Sequence, residues 1–184
     1  MKSERFSFTG NDGSTLAARL DLPEGQVCAT ALFAHCFTCS KDILAAKRIS
    51  QRLASAGIAV LRFDFTGLGH SEGEFANTHF SSNVEDLRLA AEFLAVQGNP
   101  VSLLVGHSLG GAAVLKVASQ IPTVKSVVTV AAPSDPKHVA ANFGCHIDEI
   151  RENGEAVVSL AGRGFTIKRE FLDDIASAEL LIGS

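Results

Sequence analysis

The stretch Leu103-Leu104-Val105-Gly106-His107-Ser108-Leu109-Gly110-Gly111-Ala112-Ala113-Val114 decides how this chain folds. The apolar run Val101 to Val105 has the length of a buried strand, and Ala112 onward reads as a helix. Gly106-His107-Ser108-Leu109-Gly110 must therefore turn sharply between them. Gly-x-Ser-x-Gly between a strand and a helix reads as a nucleophile elbow. Small residues two before and two after the serine let strand and helix approach closely, and Ser108 is held in a strained conformation at the carboxyl end of the strand. The helix N-terminus behind it offers the Leu109 amide and a positive dipole end to an oxyanion developing on an attacked carbonyl.

Working back toward the N-terminus, Phe6 and Phe8, then Leu16, Ala18, Leu20 and Leu22, alternate with polar residues on either side of Gly10-Asn11-Asp12-Gly13, the pattern of an antiparallel hairpin. Cys28 to Ala34 is a short apolar strand running into His35-Cys36-Phe37-Thr38-Cys39-Ser40. Asp42 opens a helix in which Ile43, Ala46, Ile49, Leu53 and Ala56 share a face, and Gly57 ends it. Ile58 to Phe63 is the next strand, followed by Asp64-Phe65-Thr66-Gly67-Leu68-Gly69-His70-Ser71-Glu72-Gly73. Ser82-x-x-Glu85 reads as a capping box for a helix with Val84, Leu87, Ala91 and Leu94 on its apolar face.

Beyond the elbow, Val124 to Ala132 reads as another buried strand, ending in Pro133-Ser134-Asp135-Pro136. A polar helical stretch follows over Val139 to Arg151. Next come a hairpin from Ala156 to Ile167 turned at Gly162-Arg163-Gly164, and a last helix from Lys168. Alternating strands and helices imply an α/β fold, with a mainly parallel sheet, helices on both faces and ligands bound at the carboxyl ends of the strands. The 184 residues fit one domain, 1–184, with a sheet core over 1–136 and a lid-like or dimerisation segment over 137–184.

Composition narrows the partners. A net charge of −4 with scattered positive residues argues against nucleic acid, and no apolar run is long enough to span a bilayer. Met1-Lys2-Ser3-Glu4-Arg5 lacks the apolar stretch of a signal peptide, so a cytoplasmic location is expected. The 4 cysteines, Cys28, Cys36, Cys39 and Cys145, are then expected as free thiols. Cys36-x-x-Cys39 has the spacing of a redox or metal pair, but no second pair accompanies it, so no metal and no cofactor are expected. The acidic pairs Asp148-Glu149 and Asp173-Asp174 read as solvated faces.

From Phe6 to Asp135 the chain resembles an α/β-hydrolase. The matching features are His35 and its loop, Asp64-x-x-Gly67-x-Gly69-x-Ser71, and the elbow. His35-Cys36-Phe37-Thr38-Cys39-Ser40-Lys41-Asp42 with Phe65-Thr66-Gly67-Leu68-Gly69 also resembles a bacterial branch whose hydrolase domain is often fused to an OsmC-type peroxide-reducing domain. The resemblance implies a serine hydrolase acting on small carboxylic esters. Ser108 would be the nucleophile, and the backbone amides of Phe37 and Leu109 the oxyanion hole. Twelve phenylalanines without Tyr or Trp suggest an apolar acyl pocket for a short, uncharged substrate.

Members of that family place the triad acid after a seventh strand and the histidine after an eighth, and this chain ends at Ser184 before either is expected. It would then be a hydrolase core lacking its last strands: a truncated form, a subunit completed by a partner, or a chain drawing its base from elsewhere. In the last case Asp135, His146 and His79 are the candidate acid and base. Asp135 follows the sixth strand, His138 and His146 come after it, and Ser108, Asp135 and His146 keep the family's chain order. His107 is expected to point away from Ser108, and His35 and His70 to organise loops. A homo-oligomer is expected, because the strand at Val124 to Ala132 is left as an apolar edge. The competing class is a non-catalytic or impaired hydrolase-fold module that completes its sheet by oligomerisation.

Overall fold

The computed structural model describes residues 2–180. Strands β1 (Lys2–Thr9) and β2 (Thr15–Leu22) form the hairpin, with Thr9 opposite Thr15 across the turn. Strands β3 (Ala29–Ala34), β4 (Ile58–Phe63), β5 (Leu103–His107) and β6 (Ser126–Val130) complete a sheet of order β1-β2-β4-β3-β5-β6. β2 joins β4 antiparallel, and the pairings from β4 to β6 are parallel.

Alternation along the strands separates two apolar layers. Leu32, Ala34, Leu61, Phe63 and Leu104 face helices α2 (Phe80–Val96) and α3 (Leu109–Val117). Ala31, Phe33, Val60 and Val105 face α1 (Leu44–Ser55), which contributes Ala46, Ile49 and Leu53. Helices on both faces of a mainly parallel sheet are what the strand-helix alternation implied.

Several boundaries and one burial differ from expectation. The elbow strand lies two residues further on than expected, over Leu103–His107, although the Ser102 amide already donates to the Thr30 carbonyl of β3 at 2.9 Å. Helix α2 is capped by His79, not Ser82: the Ser82 amide donates to His79 Nδ1, and the His79 amide to Ser82 Oγ at 2.9 Å. The motif is a capping box shifted three residues upstream. β6 is not buried. Val128 and Val130 are 48% and 42% exposed, on the face shared with Val105, where α1 does not reach. No strand pairs the outer side of β6 among the described residues.

After β6 come a 3₁₀ helix (Pro136–Phe143), α4 (His146–Asn153), a hairpin of β7 (Glu155–Leu160) and β8 (Arg163–Lys168), and α5 (Arg169–Ser177). The hairpin turns at Ala161-Gly162, one residue earlier than the glycine pattern suggests, with both residues at positive φ as a two-residue hairpin turn requires. Val139, Phe143, Ile150, Val158, Ile167 and Phe171 join the same apolar layer as α2 and α3. Asp174 is not merely solvated, since it accepts hydrogen bonds from the Ser81 amide and hydroxyl and ties α5 to the start of α2.

Candidate active site

Ser108 sits at the tip of β5 with φ 55° and ψ −126°, a conformation side chains rarely adopt. Its amide donates to the Val130 carbonyl at 2.9 Å, and its carbonyl accepts from the Gly111 amide at 2.8 Å. The corner closes only because its neighbours lack side chains. A Cβ on Gly106 would lie 2.5 Å from the Gly110 carbonyl oxygen, and one on Gly110 would lie 2.3 Å from that of His35. The second contact sets the loop after β3 directly against the start of α3.

That loop is fixed at both ends by buried groups. His35 is buried, and burial pushes its pKa down to about 4, outweighing the opposing hydrogen bond to the Cys36 carbonyl. The imidazole is therefore neutral. The Phe65 amide donates to its Nε2 at 3.4 Å, so the proton resides on Nδ1 and is donated to the Cys36 carbonyl at 2.8 Å. At the other end, the fully buried Asp64 carboxylate accepts from the Lys41 amide at 2.6 Å, from Lys41 Nζ at 2.5 Å and from the His70 amide at 2.9 Å. Asp86 has a similar role in the neighbouring layer. Its buried carboxylate accepts from the Thr66 amide and hydroxyl and from the Asn11 amide.

Between these anchors, Phe37 and Thr38 form a turn closed by the Cys39 amide on the Cys36 carbonyl at 3.1 Å, with Thr38 at φ 59°. Cys36 and Cys39 are joined in a disulfide, their Cα atoms 5.3 Å apart. This corrects the expectation of free thiols for that pair, because the turn brings its first and last residues within bridging distance. Cys28 and Cys145 are free and exposed.

Phe37 packs against Phe75, Phe143 and Phe171 at ring separations of 5.6, 6.2 and 5.2 Å. Phe165 stacks edge-on to Phe75, and Arg163 lies over Phe165 while its guanidinium donates to the Thr38 carbonyl. The segment after β6 thus seats on the Phe37 turn. Phe37 and Leu109 line one cleft together with His35, Phe65, Leu68 and Ala113. Its free volume is only about 10 Å³, with Phe37 and Phe65 among the side chains that line it.

The candidate acid and base residues are engaged elsewhere. Asp135 Oδ1 caps the 3₁₀ helix by accepting from the Lys137 amide. His146 lies on α4, 3.1 Å from Glu149. His79 caps α2 and is 3.8 Å from Asp174. His107 Nδ1 is buried and has no partner among the described residues, and His70 is exposed beside Lys41. None of the 6 histidines in the chain hydrogen-bonds Ser108, whose hydroxyl has no partner among the described residues. No sequence pattern singles out Lys41, Asp86 or Arg163. An acid at position 86, flanked by the apolar positions 84 and 87, was the one available signal.

A strained serine at the tip of a central parallel strand, with a helix starting behind it, is the architecture of an α/β-hydrolase. The chain belongs to the alpha/beta hydrolase family, whose family model matches residues 31–181. No curated protein matches the chain. Among solved structures, the esterase domain of a Rhodothermus marinus protein is 49% identical with a TM-score of 0.70, over 95% of this chain and 68% of that one. An α/β serine hydrolase without lid from Xanthomonas campestris is 28% identical with a TM-score of 0.64. That match covers 73% of this chain and 63% of the other, so this chain spans under two thirds of that protein's length. Est1E from Butyrivibrio proteoclasticus, solved with ferulic acid, shares the fold at 22% identity and a TM-score of 0.78, over 95% of this chain and 72% of that one. Among the described residues, no helix is long and apolar enough to cross a membrane.

Proposed function

We propose that the chain is an esterase-type serine hydrolase acting on small carboxylic esters, with Ser108 as the residue acylated. The observation that carries this is the conformation of Ser108, φ 55° and ψ −126°, at the start of α3. Strain of this kind collects at functional sites, and Ser108 stands at the start of α3, where the positive end of the helix can stabilise negative charge. Likeness to the Rhodothermus marinus esterase domain supports the substrate class. Ser108 Oγ adds to the ester carbonyl, the amides of Leu109 and Phe37 hold the oxyanion, and collapse releases the alcohol and leaves an acyl-serine that water hydrolyses. With no histidine on Ser108, the oxyanion donors alone support an acceleration of about a thousandfold over water. A base brought to the serine adds the rest.

The test is hydrolysis of p-nitrophenyl acetate and butyrate by the wild type and Ser108→Ala, with phosphonate labelling of Ser108. The rate and the label should both vanish in Ser108→Ala, and His79→Ala, His138→Ala and His146→Ala then locate any base within the chain. Equal rates in the two proteins would refute the esterase reading.

The outer edge of β6, unpaired among the described residues and flanked by the exposed Val128 and Val130, favours a second, compatible reading, in which a second copy of the chain pairs along β6. Light scattering should then give a dimer mass for the wild type and a monomer mass for the Val128→Lys, Val130→Lys double variant. A monomeric wild type would rule the pairing out. A dimer without esterase activity would leave the chain as a binding module.

A further inference from the structure

We infer that Cys36–Cys39 is a reversible redox site that controls the oxyanion turn, closed as the disulfide and loosened when a dithiol reductant opens it. The inference rests on the reading of the Phe37 amide as an oxyanion donor. The disulfide encloses that residue: Cys36 and Cys39 are the first and last residues of the turn whose two central positions are Phe37 and Thr38. Thr38 is β-branched and stands at φ 59°, a position in such turns that normally takes glycine. A bridge across the turn holds what the side chain disfavours. Both cysteines are only half-buried, so a thiol reagent can reach them, whereas the anchors on either side, His35 and Lys41, are buried. Opening the bridge therefore frees the middle of the loop and leaves its ends in place.

The exchange is balanced in two steps. A thiolate of the reductant attacks one protein sulfur, forming a mixed disulfide and releasing the other as a thiolate that takes a proton. The reductant's second thiolate then displaces the remaining cysteine sulfur. Two electrons and two protons pass to the protein, leaving Cys36 and Cys39 as thiols and the reductant as its own disulfide. The freed turn lets Thr38 leave its strained conformation, which swings the Phe37 amide away from the cleft and slackens the Arg163 contact to the Thr38 carbonyl.

The experiment compares the air-oxidised chain with the chain in dithiothreitol. Alkylation and mass measurement should count two reactive thiols in the first, matching free Cys28 and Cys145, and all 4 in the second. Amide hydrogen exchange at Phe37 to Cys39 should quicken at least tenfold on reduction, and phosphonate labelling of Ser108 should slow by about tenfold or more, since losing one oxyanion donor costs about 10²–10³ in rate. The Cys28→Ser, Cys145→Ser variant should keep the full response, and the Cys36→Ser, Cys39→Ser variant should behave as the reduced chain with or without reductant. Four thiols in the air-oxidised chain, a pair that resists dithiothreitol, or unchanged exchange at Phe37 to Cys39 after reduction would each overturn the inference. Faster exchange with no labelling in either state would support the redox turn and refute the Ser108 reading, so the two fail separately.

Discussion

Acidification should destabilise this fold through one buried imidazole. His35 is neutral in the folded chain because burial lowers its pKa from 6.5 to about 4. Between those two values the unfolded chain binds a proton that the folded chain excludes, so stability rises with pH across that window and is lost as pH falls. At 1.36 kcal/mol per unit, the full loss approaches about 3 kcal/mol below pH 4, and about 2 kcal/mol is already gone between pH 7.5 and pH 5. Urea unfolding at those two pH values measures it, with His35→Gln as reference. Glutamine keeps an acceptor for the Phe65 amide and a donor for the Cys36 carbonyl but does not titrate. The wild type should lose about 2 kcal/mol more than His35→Gln on going to pH 5, because carboxylates and the other histidines contribute equally to both. Parallel losses would refute the assignment of His35 as a buried neutral histidine.

Two further perturbations test how the site is held. Asp64→Asn takes from the buried Lys41 Nζ its nearer carboxylate, leaving Asp42 at 3.4 Å, and should cost about 2–3 kcal/mol in guanidinium unfolding, with Lys41→Met added in the same chain recovering much of the loss. Gly110→Ala sets a methyl 2.3 Å from the His35 carbonyl oxygen, a backbone atom that cannot rotate away. It should destabilise by about 1–3 kcal/mol and abolish phosphonate labelling of Ser108, and retained labelling would show that the turn at Phe37 need not touch the elbow.

Much of this fold was legible because each local signal agreed with the global one. Strand Ile58–Phe63 is legible residue for residue, since helix-ending Gly57 and loop-opening Asp64 bound it. The elbow was legible from spacing, because only residues without side chains survive at Gly106 and Gly110. What escaped depends on partners distant in the chain. Nothing near Asp64 announces Lys41, 23 residues away, as its buried counter-charge. Ser82 and Glu85 satisfy a capping pattern that His79 and Ser82 satisfy better, and histidine is an uncommon cap. The exposure of β6 is invisible in an apolar run, since burial there is decided by whether a neighbour covers it. The disulfide escaped because an expected reducing compartment argues for free thiols, while the turn that joins Cys36 to Cys39 shows only in the folded chain.

Asp64 and Asp86 grip their loops largely by main-chain amides, those of Lys41, His70, Thr66 and Asn11. At Lys41, Thr66 and Asn11 the side chain bonds the same carboxylate as well, but at His70 Asp64 accepts only the main-chain amide, which every residue but proline carries. His70, its side chain 77% exposed, is free to become almost anything without loosening the loop that carries it. A fold wired this way separates the inheritance of shape from the inheritance of specificity. Selection can repaint the outer surface of that loop at His70, while Asp64 keeps the frame beneath it unchanged.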